Sequence, residues 1–498
     1  MAKENGGVIG IINTPSTTTA SGVWALQDQY EAKRNGNWPL TPFVSPYSAR
    51  FNSDSSDYLS RTPSSSANTN TYTFSTWVKK SENSSQVAGY QSLLSATDGS
   101  SNSINIGFGN GAFTASGDYF EITYTNSSYA VQWSVRSNAL YRDVSAWYHV
   151  VVAVDTTQAT ASNRVKLYVN GEAIATTATS SPAQNTGYII NTNVAHNIGR
   201  YVRDANSFLD GYLAETYMIG GSQLTPSSFG ASNASGVWYP IPYSGSYGTN
   251  GFYLKFGNAS SLGTDSSPNG NNWTVNNLTS VDQSTDSPLN NFCTINTLTC
   301  NDTASLTSAD GNLTITGGDD MGATIGITKG KWYWESKRSN TGTVAHWGIG
   351  FTQSWNSSTQ IVTGNGSGYF FRNDFSGGLS VSNSGSNGFT NISTSSTGSS
   401  VANGDIIGVA LDLDSATKAV TFYQNGSSVA SATFSYDGTS STCFPFIRNN
   451  SGAQSQWNFG SPPYSANSYT DGNGYGNFSY AVPSGYYALC TANLNTYG

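Results

Sequence analysis

The chain is composed of short runs of β-branched and aromatic residues, separated at close intervals by Gly, Ser, Thr and Asn. In the run 72–80, Phe74 and Trp77 fall on opposite faces, as the two-residue period of a β-strand requires. Asn170 and Gly171 follow another such run and form the residue pair that tight hairpin turns favour. This alternation of short strands and turns excludes a helical bundle and predicts an all-β fold.

The length and the aromatic content indicate more than one folded domain. At 498 residues the chain exceeds the size at which a single hydrophobic core keeps growing. Aromatic residues make up 13% of the sequence, which supplies enough large apolar surface for real cores and separates this chain from a disordered polar linker. We therefore expect two or three domains built from antiparallel sheets.

The composition also argues against two classes of partner. The net charge is −8, and the 21 Lys and Arg residues form no basic cluster, so nucleic-acid binding is not expected. No window approaches the roughly 20 apolar residues of a membrane span, and the N-terminus lacks the charged start and apolar run of an export signal. We therefore expect neither membrane insertion nor export.

The cysteines are too few and too unevenly spaced for a disulfide framework or a zinc site, so free thiols are predicted. No metal ligand and no cofactor follow from the residue pattern. The four cysteines are Cys293, Cys300, Cys443 and Cys490.

The order of four runs resembles the laminin G-like branch of the concanavalin A-like lectin/glucanase fold. These runs are 72–80, 147–157, 166–172 and 208–230. The resemblance implies a concanavalin A-like jelly-roll sandwich, which we place at residues 46–245, and family members often bind glycans or matrix proteins through loops at one rim.

Residues 246–290 repeat the opening of such a unit without completing it. The stretches FYLKFGN and GTDSSPNGNNWTV carry this resemblance. We interpret the segment as a spacer that packs against its neighbours.

A further set of motifs resembles a SPRY domain. It comprises residues 330–335 (GKWYWE), 348–350 (GIG), 404–414 and 420–426, in that order. The resemblance implies a second β-sandwich at residues 291–498, including a C-terminal extension. SPRY domains recognise partners through loops at one end of the sandwich and are not enzymes.

The first 45 residues differ from the rest and predict an attachment segment. The stretch 23–34 contains good helix formers, and Asn35 and Gly36 would end the helix. A helix of about three turns is not stable alone in water, so it must pack onto another protein or a neighbouring copy. The fold prediction is thus two antiparallel β-sandwiches after a short anchor with one helix. The residues expected to dock are the apolar ones, Val8, Ile9, Ile11, Ile12, Trp24, Leu26 and Trp38.

Both ends of the chain resemble structural proteins of marine tailed phages, including phages of cyanobacteria and alphaproteobacteria. Residues 6–39 and 482–494 carry this resemblance. It implies a virion component of tail-fibre, adhesin or capsid-fibre type, assembled in the host bacterial cytoplasm and joined to other phage virion proteins through its N-terminus. The order of anchor, module, spacer and module suits closed threefold symmetry, so a homotrimer is predicted.

A glycan-binding surface needs exposed aromatic rings beside side chains that hydrogen-bond sugar hydroxyls. Two loop stretches have this mixture and are the predicted contacts with bacterial surface polysaccharide, although the same residues also fit ordinary solvated loops. The alternative function is purely architectural, decorating the capsid or joining tail parts without a ligand. The predicted contacts are Arg200, Tyr201, Arg203 and Asp204 in the first sandwich, and Trp355, Arg372 and Asp374 in the second.

Catalysis is not expected, because glycosidases of the concanavalin A-like fold carry acids in a Glu-x-Asp-x-x-Glu pattern that this chain lacks. Glu121 stands alone in its run, and no catalytic residue is predicted, which disfavours a depolymerase. The resemblance to the laminin G-like family also allows a calcium ion at the rim of the first sandwich, for which Asp98, Asp204 and Asp210 are the available carboxylates.

Overall fold

Regular structure in the described part of the chain is almost entirely β-strand, which confirms the all-β prediction. The N-terminal anchor cannot be compared in the same way, because its docking residues Val8, Ile9, Ile11, Ile12, Trp24, Leu26 and Trp38 lie outside the described residues. The computed structural model describes residues 31, 32, 34, 45–83, 90–99, 102–109, 117–203, 206–300, 302–340, 344–352, 367–373, 379–385, 388–393, 401–450 and 452–498.

Helical structure occupies few of the described residues. Glu31, Ala32 and Arg34 are helical, within the predicted helix at 23–34, whose other residues lie outside the description. One α-helix, α1 (Thr491–Tyr497), closes the chain. No helix in the described ranges is long and apolar enough to cross a membrane. Short 3₁₀ turns occur at Ala161–Asn163, Pro226–Ser228, Ser280–Asp282 and Thr297–Thr299.

The strands follow one another through short turns in both halves of the chain. In the first half they are β1 (Ser48–Phe51), β2 (Tyr58–Arg61), β3 (Thr71–Lys80), β4 (Gln91–Thr97), β5 (Ser103–Gly109), β6 (Tyr119–Thr125), β7 (Val131–Leu140), β8 (Tyr148–Asp155), β9 (Val165–Val169), β10 (Glu172–Ala173), β11 (Thr176–Ser180), β12 (Ala195–Ile198), β13 (Gly211–Gly220), β14 (Gly230–Ser232), β15 (Trp238–Pro240), β16 (Phe252–Leu254), β17 (Thr274–Asn276) and β18 (Gln283–Ser284). In the second half they are β19 (Thr307–Ala309), β20 (Thr314–Thr316), β21 (Met321–Gly322), β22 (Lys331–Arg338), β23 (Val344–Thr352), β24 (Ser367–Asn373), β25 (Leu379–Gly385), β26 (Gly388–Ser393), β27 (Ile406–Asp412), β28 (Lys418–Gln424), β29 (Ser427–Phe434), β30 (Thr442–Asn450), β31 (Gln454–Asn458) and β32 (Tyr487–Ala488).

Two sheets form the first sandwich. One has the strand order β10-β9-β8-β3-β13-β1-β18, with β16 beside β13, and the other has the order β11-β7-β6-β5-β4-β12-β2-β17. In β8, Val150 and Val152 belong to the main core, whereas Val151 packs with Ala153 and Tyr168 in a separate cluster. Both faces of this central strand are therefore buried, which explains why its sequence is apolar at consecutive positions.

The segment 246–290, predicted as a spacer, contributes strands to the first sandwich. β16 pairs with β13, β17 pairs with β2, and β18 pairs with β1, all antiparallel. Phe252, Leu254 and Trp273 of this segment are buried in the core of the first sandwich. The segment thus adds strands to both sheets.

The second sandwich is built around buried tryptophans. One sheet has the order β19-β20-β31-β22-β27-β28-β29, with β32 parallel to β22, and the other has the order β21-β30-β23-β24-β25-β26. A Cβ at Gly348 would meet the backbone of Tyr369 and Phe370, so this glycine lets β24 approach β23 closely. The fully buried tryptophans are Trp332, Trp334, Trp347 and Trp457.

A buried joint connects the two sandwiches through Lys79 of β3, whose ion-pair partner Asp286 belongs to the first sandwich and whose acceptor Phe292 belongs to the second. Lys79 Nζ of β3 lies 2.8 Å from Asp286 Oδ2 and also donates to Phe292 O at 3.0 Å. Trp147 Nε1 donates to the other oxygen of Asp286 at 3.0 Å. Both charged side chains are 1% exposed, so each depends on the other for compensation of its lost hydration.

Acidic side chains gather beside this joint. Glu82 accepts a hydrogen bond from Ser308 Oγ of the second sandwich at 2.9 Å. Asp210 accepts from Ser53 N at 2.8 Å, and Asp57 accepts from Asn52 N at 3.1 Å. These three carboxyl groups form the joint acids, and their buried positions bear on how stability depends on pH.

Candidate functional site

Four of the predicted glycan contacts fall between β12 and β13, and three of them, Arg200, Tyr201 and Arg203, are described. The Arg200 guanidinium lies 5.0 Å from the ring centroid of Tyr58 and 5.3 Å from that of Phe208. Tyr201 is buried, and its hydroxyl shares a hydrogen bond of 2.6 Å with Ser103 Oγ. Both side chains therefore contact the body of the sandwich, and their role toward a ligand stays a prediction.

Arg203 connects this loop to the turn between β6 and β7. Its guanidinium lies 4.2 Å from the Tyr129 ring centroid and donates to Asn126 O at 2.8 Å and to Ser127 O at 2.9 Å. The Tyr129 hydroxyl donates in return to Arg203 O. Tyr129 remains 49% exposed, so the accessible feature of this rim is a tyrosine ring stacked on an arginine. Asp204 lies outside the described residues.

The predicted contacts in the second sandwich are only partly described. Arg372 lies in β24 opposite His346 of β23, near the end where Ala345 pairs with Asn373. Its side chain, like Trp355 and Asp374, lies outside the described residues. The opposite end of this strand pair, where Phe351 meets Ser367, borders a pocket that the sequence did not indicate.

This aromatic pocket has a volume of about 560 Å³. It lies where β23 ends and β24 begins, and the loop from β29 to β30 contributes most of its lining residues. Three half-buried rings and a set of hydroxyl and carboxylate groups surround the same space. The lining residues are Phe351, Tyr369, Ser435, Tyr436, Asp437, Ser440 and Ser441.

The rings of the pocket are fixed by contacts with one another. The Phe351 ring centroid lies 5.3 Å from that of Tyr436 and 6.1 Å from that of Tyr369. Tyr369 in turn stacks on Phe434 at 4.9 Å, and the Tyr436 hydroxyl donates to Ser441 O at 2.7 Å. The apolar wall is therefore preorganised by packing.

Asp437 gives the pocket a fixed negative charge. Its Oδ1 accepts from Thr439 N at 2.9 Å, from Ser440 N at 3.0 Å and from Ser440 Oγ at 2.9 Å. These hydrogen bonds lower the pKa of Asp437 to about 2, so the carboxylate is ionised at neutral pH. Burial raises the pKa of Tyr436 to about 12, which keeps its hydroxyl protonated. No Lys, Arg or His is among the described lining residues.

Sequence reasoning missed this pocket because its parts are distant in the chain. Phe351 and Tyr436 are brought together by the pairing of β23 with β24 and β30, which no local pattern reveals. One local signal was available, since Asp437 and Gly438 form a turn pair between two strands and directly follow an aromatic residue.

Within the described residues there is one Ser–His contact, and its hydrogen bond runs in the opposite direction to that between a serine nucleophile and its histidine base. His149 Nε2 lies 2.9 Å from Ser75 Oγ, and Trp238 Nε1 donates to His149 Nδ1 at 3.0 Å. Because Nδ1 accepts this hydrogen bond, Nε2 carries the ring proton and donates to Ser75. Burial lowers the pKa of His149 to about 3, so the ring stays neutral.

Glu121 and Glu215, which belong to no catalytic acid motif in the sequence, are buried in the structure. Glu121 lies in β6 with Gly107 and Arg136 as its cross-strand neighbours, and it is fully buried. Glu215 accepts hydrogen bonds from the hydroxyls of Tyr217 and Tyr253, and burial raises its pKa. Both carboxylates are enclosed within the first sandwich.

The described residues contain no set of side chains that matches the predicted calcium site. No group of three or more His, Cys, Asp or Glu side chains in the described ranges is placed to hold a metal ion. Asp98 accepts from Asn102 after β4, whereas Asp210 is buried beside the joint. Asp204 is outside the description, so calcium binding stays a prediction.

Two family matches follow the order of the two sandwiches. The concanavalin A-like lectin/glucanases superfamily matches residues 53–228, and the SPRY domain matches residues 331–462. The chain therefore carries a concanavalin A-like domain followed by a SPRY domain, as the sequence motifs predicted. No curated protein matches the chain.

Solved structures similar to this chain include both kinds of domain. The TRIM65 PSpry domain is 14% identical, with a TM-score of 0.25, over 33% of this chain and 91% of its own. The SPRY domain of human HERC1 is 20% identical, with a TM-score of 0.21, over 29% and 87%. A protein from Bacteroides ovatus described as carbohydrate binding is 17% identical, with a TM-score of 0.31, over 48% and 60%. At these identities the likeness concerns the fold alone.

Proposed function

We propose that this chain, a concanavalin A-like domain followed by a SPRY domain, is a fibre or adhesin-type component of a tailed-phage virion that recognises host-cell-surface glycans. The observation that carries the binding function is the aromatic pocket at one end of the second sandwich. The virion assignment is supported by the resemblance of residues 6–39 and 482–494 to phage structural proteins.

The chemistry of the aromatic pocket suits a sugar. The C–H face of a sugar ring packs on aromatic rings such as Phe351 and Tyr436, and its hydroxyls hydrogen-bond to polar groups such as Ser440 and the Asp437 carboxylate. A fixed negative charge with no cation among the described lining residues disfavours acidic sugars, so neutral or amine-bearing residues are the expected ligands.

In this proposal, weak binding by each module becomes firm attachment through repetition on the particle. Residues 1–45 join the protein to other virion proteins, and three copies assemble around this segment. Linked sites raise overall affinity by orders of magnitude without any new contact. A single pocket of micromolar or weaker affinity is therefore sufficient for attachment.

The test uses the full-length protein and envelope polysaccharide extracted from candidate host bacteria. Ser440→Trp fills the aromatic pocket from its exposed rim, and binding measured by calorimetry should fall at least tenfold. Ser428→Trp is the matched control, because Ser428 is an exposed serine at the opposite end of β29 and does not line the pocket. Equal binding by both variants would contradict the role of the pocket.

The second candidate is a purely architectural protein that decorates the capsid or joins tail parts. The observation that favours it is the buried joint between the sandwiches, where Lys79 of the first donates to Phe292 O of the second. This candidate predicts normal incorporation into particles and no binding to host envelopes. Uniform absence of binding would therefore replace the adhesin proposal with this one.

A further inference from the structure

A second cavity lies between the two sandwiches and has different chemistry. This interdomain cleft has a volume of about 420 Å³. Tyr47 and Gln283 line it from the first sandwich, and Tyr464, Thr470 and Asn477 line it from the C-terminal extension of the second. No Asp, Glu, Lys, Arg or His is among the described lining residues, which are mainly serines, threonines, amides and tyrosines.

Hydrogen bonds between the sandwiches fix the walls of the cleft. Ser284 Oγ and Ser461 Oγ share a hydrogen bond of 2.6 Å, and Thr285 Oγ1 donates to Gly460 O at 3.3 Å. The buried Arg50 donates to Val281 O at 2.6 Å and to Pro462 O at 3.2 Å, which connects one lining residue on each side. The two walls are therefore held at a set separation without a ligand.

Hydroxyl and amide groups line the cleft. Asn477 Oδ1 is buried, and no hydrogen-bond partner for it is found in the described structure. Thr470 and the neighbouring Ser465 and Ser468 are exposed, so their hydroxyls are accessible. A cavity whose described lining residues are uncharged and offer hydroxyls, an amide and two tyrosines at a domain interface matches a ligand rich in hydroxyl groups.

We propose that the interdomain cleft is a second binding site, which takes a short neutral oligosaccharide. The class of ligand rests on the proposed glycan-binding function, whereas the position of the site rests on the cleft alone. A uronic or sialic acid unit would bring its charge into a cleft whose described lining offers no cation, so its binding would be weaker. Because the site is composite, it exists only while the two sandwiches keep their contact.

The test compares two blocking variants of the full-length protein. Ala466→Trp places an indole in the cleft, and Ser440→Trp fills the aromatic pocket. The probes are short neutral oligosaccharides of glucose, mannose and galactose, with uronic acid oligosaccharides of the same length as the charged counterpart. Binding of a neutral probe should be lost in Ala466→Trp and retained in Ser440→Trp.

A milder variant separates recognition from folding. Asn477→Ala removes the whole carboxamide from the cleft wall without adding bulk, and affinity for the neutral probe should fall about three- to tenfold, as expected for one lost hydrogen bond. An unchanged melting temperature in both cleft variants confirms that the fold is intact. If Ala466→Trp lowers the melting temperature, the binding result for Asn477→Ala decides the test.

The outcomes distinguish this proposal from the function on which it rests. If host polysaccharide binding depends on Ser440 and no probe is sensitive to Ala466→Trp or Asn477→Ala, the cleft proposal is wrong and the proposed function stands. If the uronic acid probes bind the cleft as well as the neutral ones, the ligand class is wrong. Absence of binding by any polysaccharide or probe overturns both.

Discussion

At the scale of single residues, the joint acids hold protons that exposed carboxyl groups would release. Burial raises the pKa of Asp57 to about 7, and the charges of Asp282 and Asp310 add to the shift. Burial likewise raises the pKa of Glu82 to about 7 and of Asp210 to about 6. A protonated carboxyl group is the lower-energy form where water is excluded and other acids are close.

These shifts predict that the protein is more stable at mildly acidic than at alkaline pH. Each folded pKa lies above its unfolded value near 4, so the stabilisation is full below about pH 4 and is lost as pH rises through about 6 to 7. Melting temperatures measured between pH 5 and pH 8 should therefore fall with rising pH. Asp57→Asn should flatten this dependence, whereas Asp143→Asn, at an exposed turn, should leave it unchanged.

The residue scale also shows where prediction from sequence was limited. Residue type alone predicts Arg200, Tyr201 and Arg203 as contacts, but it does not show that neighbouring backbone, rings and hydroxyls already engage these side chains. The pocket side chains Tyr369 and Tyr436 are half-buried and border open space, because strand pairing brings them to one end of the sandwich. Burial and long-range pairing, rather than residue type, separate the two sets.

At the scale of elements, the short strands of residues 246–290 depend on the sheets they join. β16 and β17 have three residues each, and β18 has two, which is too short for an independent hairpin. Their partners lie up to 236 residues earlier in the chain, where Ser48 pairs with Ser284, so local sequence patterns indicate the strands of a sandwich but not which edges such pieces complete. The fold class could be predicted because it follows from local patterns. The pairings of β16, β17 and β18 could not, because they depend on contacts between distant parts of the chain.

Truncation of Trp273 tests the contribution of this segment. Trp273 is 5% exposed and meets Phe252 edge-to-face at 5.0 Å, so Trp273→Ala should destabilise the first sandwich by about 3–5 kcal/mol through lost contacts and a cavity. Urea unfolding followed by circular dichroism measures the change. Leu289→Ala is the control, because Leu289 is 45% exposed and should cost little. A small effect of Trp273→Ala would mean that the segment packs only loosely on the sandwich.

At the scale of the whole molecule, Lys79 should couple the unfolding of the two sandwiches, because Asp286 of the first sandwich holds its ammonium where it donates to Phe292 O of the second. Asp286→Ala leaves a buried ammonium without its carboxylate and deprives Trp147 Nε1 of its acceptor, at a cost of about 3–5 kcal/mol. Calorimetry should then resolve two separate unfolding transitions for the variant. In the native protein, the unfolding of the two sandwiches should be more strongly coupled. Lys331→Ala breaks a partly exposed pair and should cost less than about 1 kcal/mol. Identical thermograms for native protein and Asp286→Ala would show that the joint contributes no coupling.

The predicted trimer belongs to the same scale and depends on the N-terminal segment. Deletion of residues 1–44 should preserve the β-structure, because the described residues of both hydrophobic cores lie later in the chain. Light scattering should report a trimer for the full-length protein and a monomer for the deletion. A full-length dimer would contradict the threefold assembly, and a trimeric deletion would place the contacts in the sandwiches instead.

The position of β1 has a mechanical consequence for a protein tethered at its N-terminal side. β1 begins three residues after Ser45 and is hydrogen-bonded on both edges, to β13 on one side and to β18 on the other. Tension that enters along this strand loads its hydrogen bonds in shear, so they must break together rather than peel one by one. The chain runs from β18 through Asp286 into the second sandwich. Part of the force on β1 can therefore pass through β18 to the second sandwich without passing through the whole of the first sandwich.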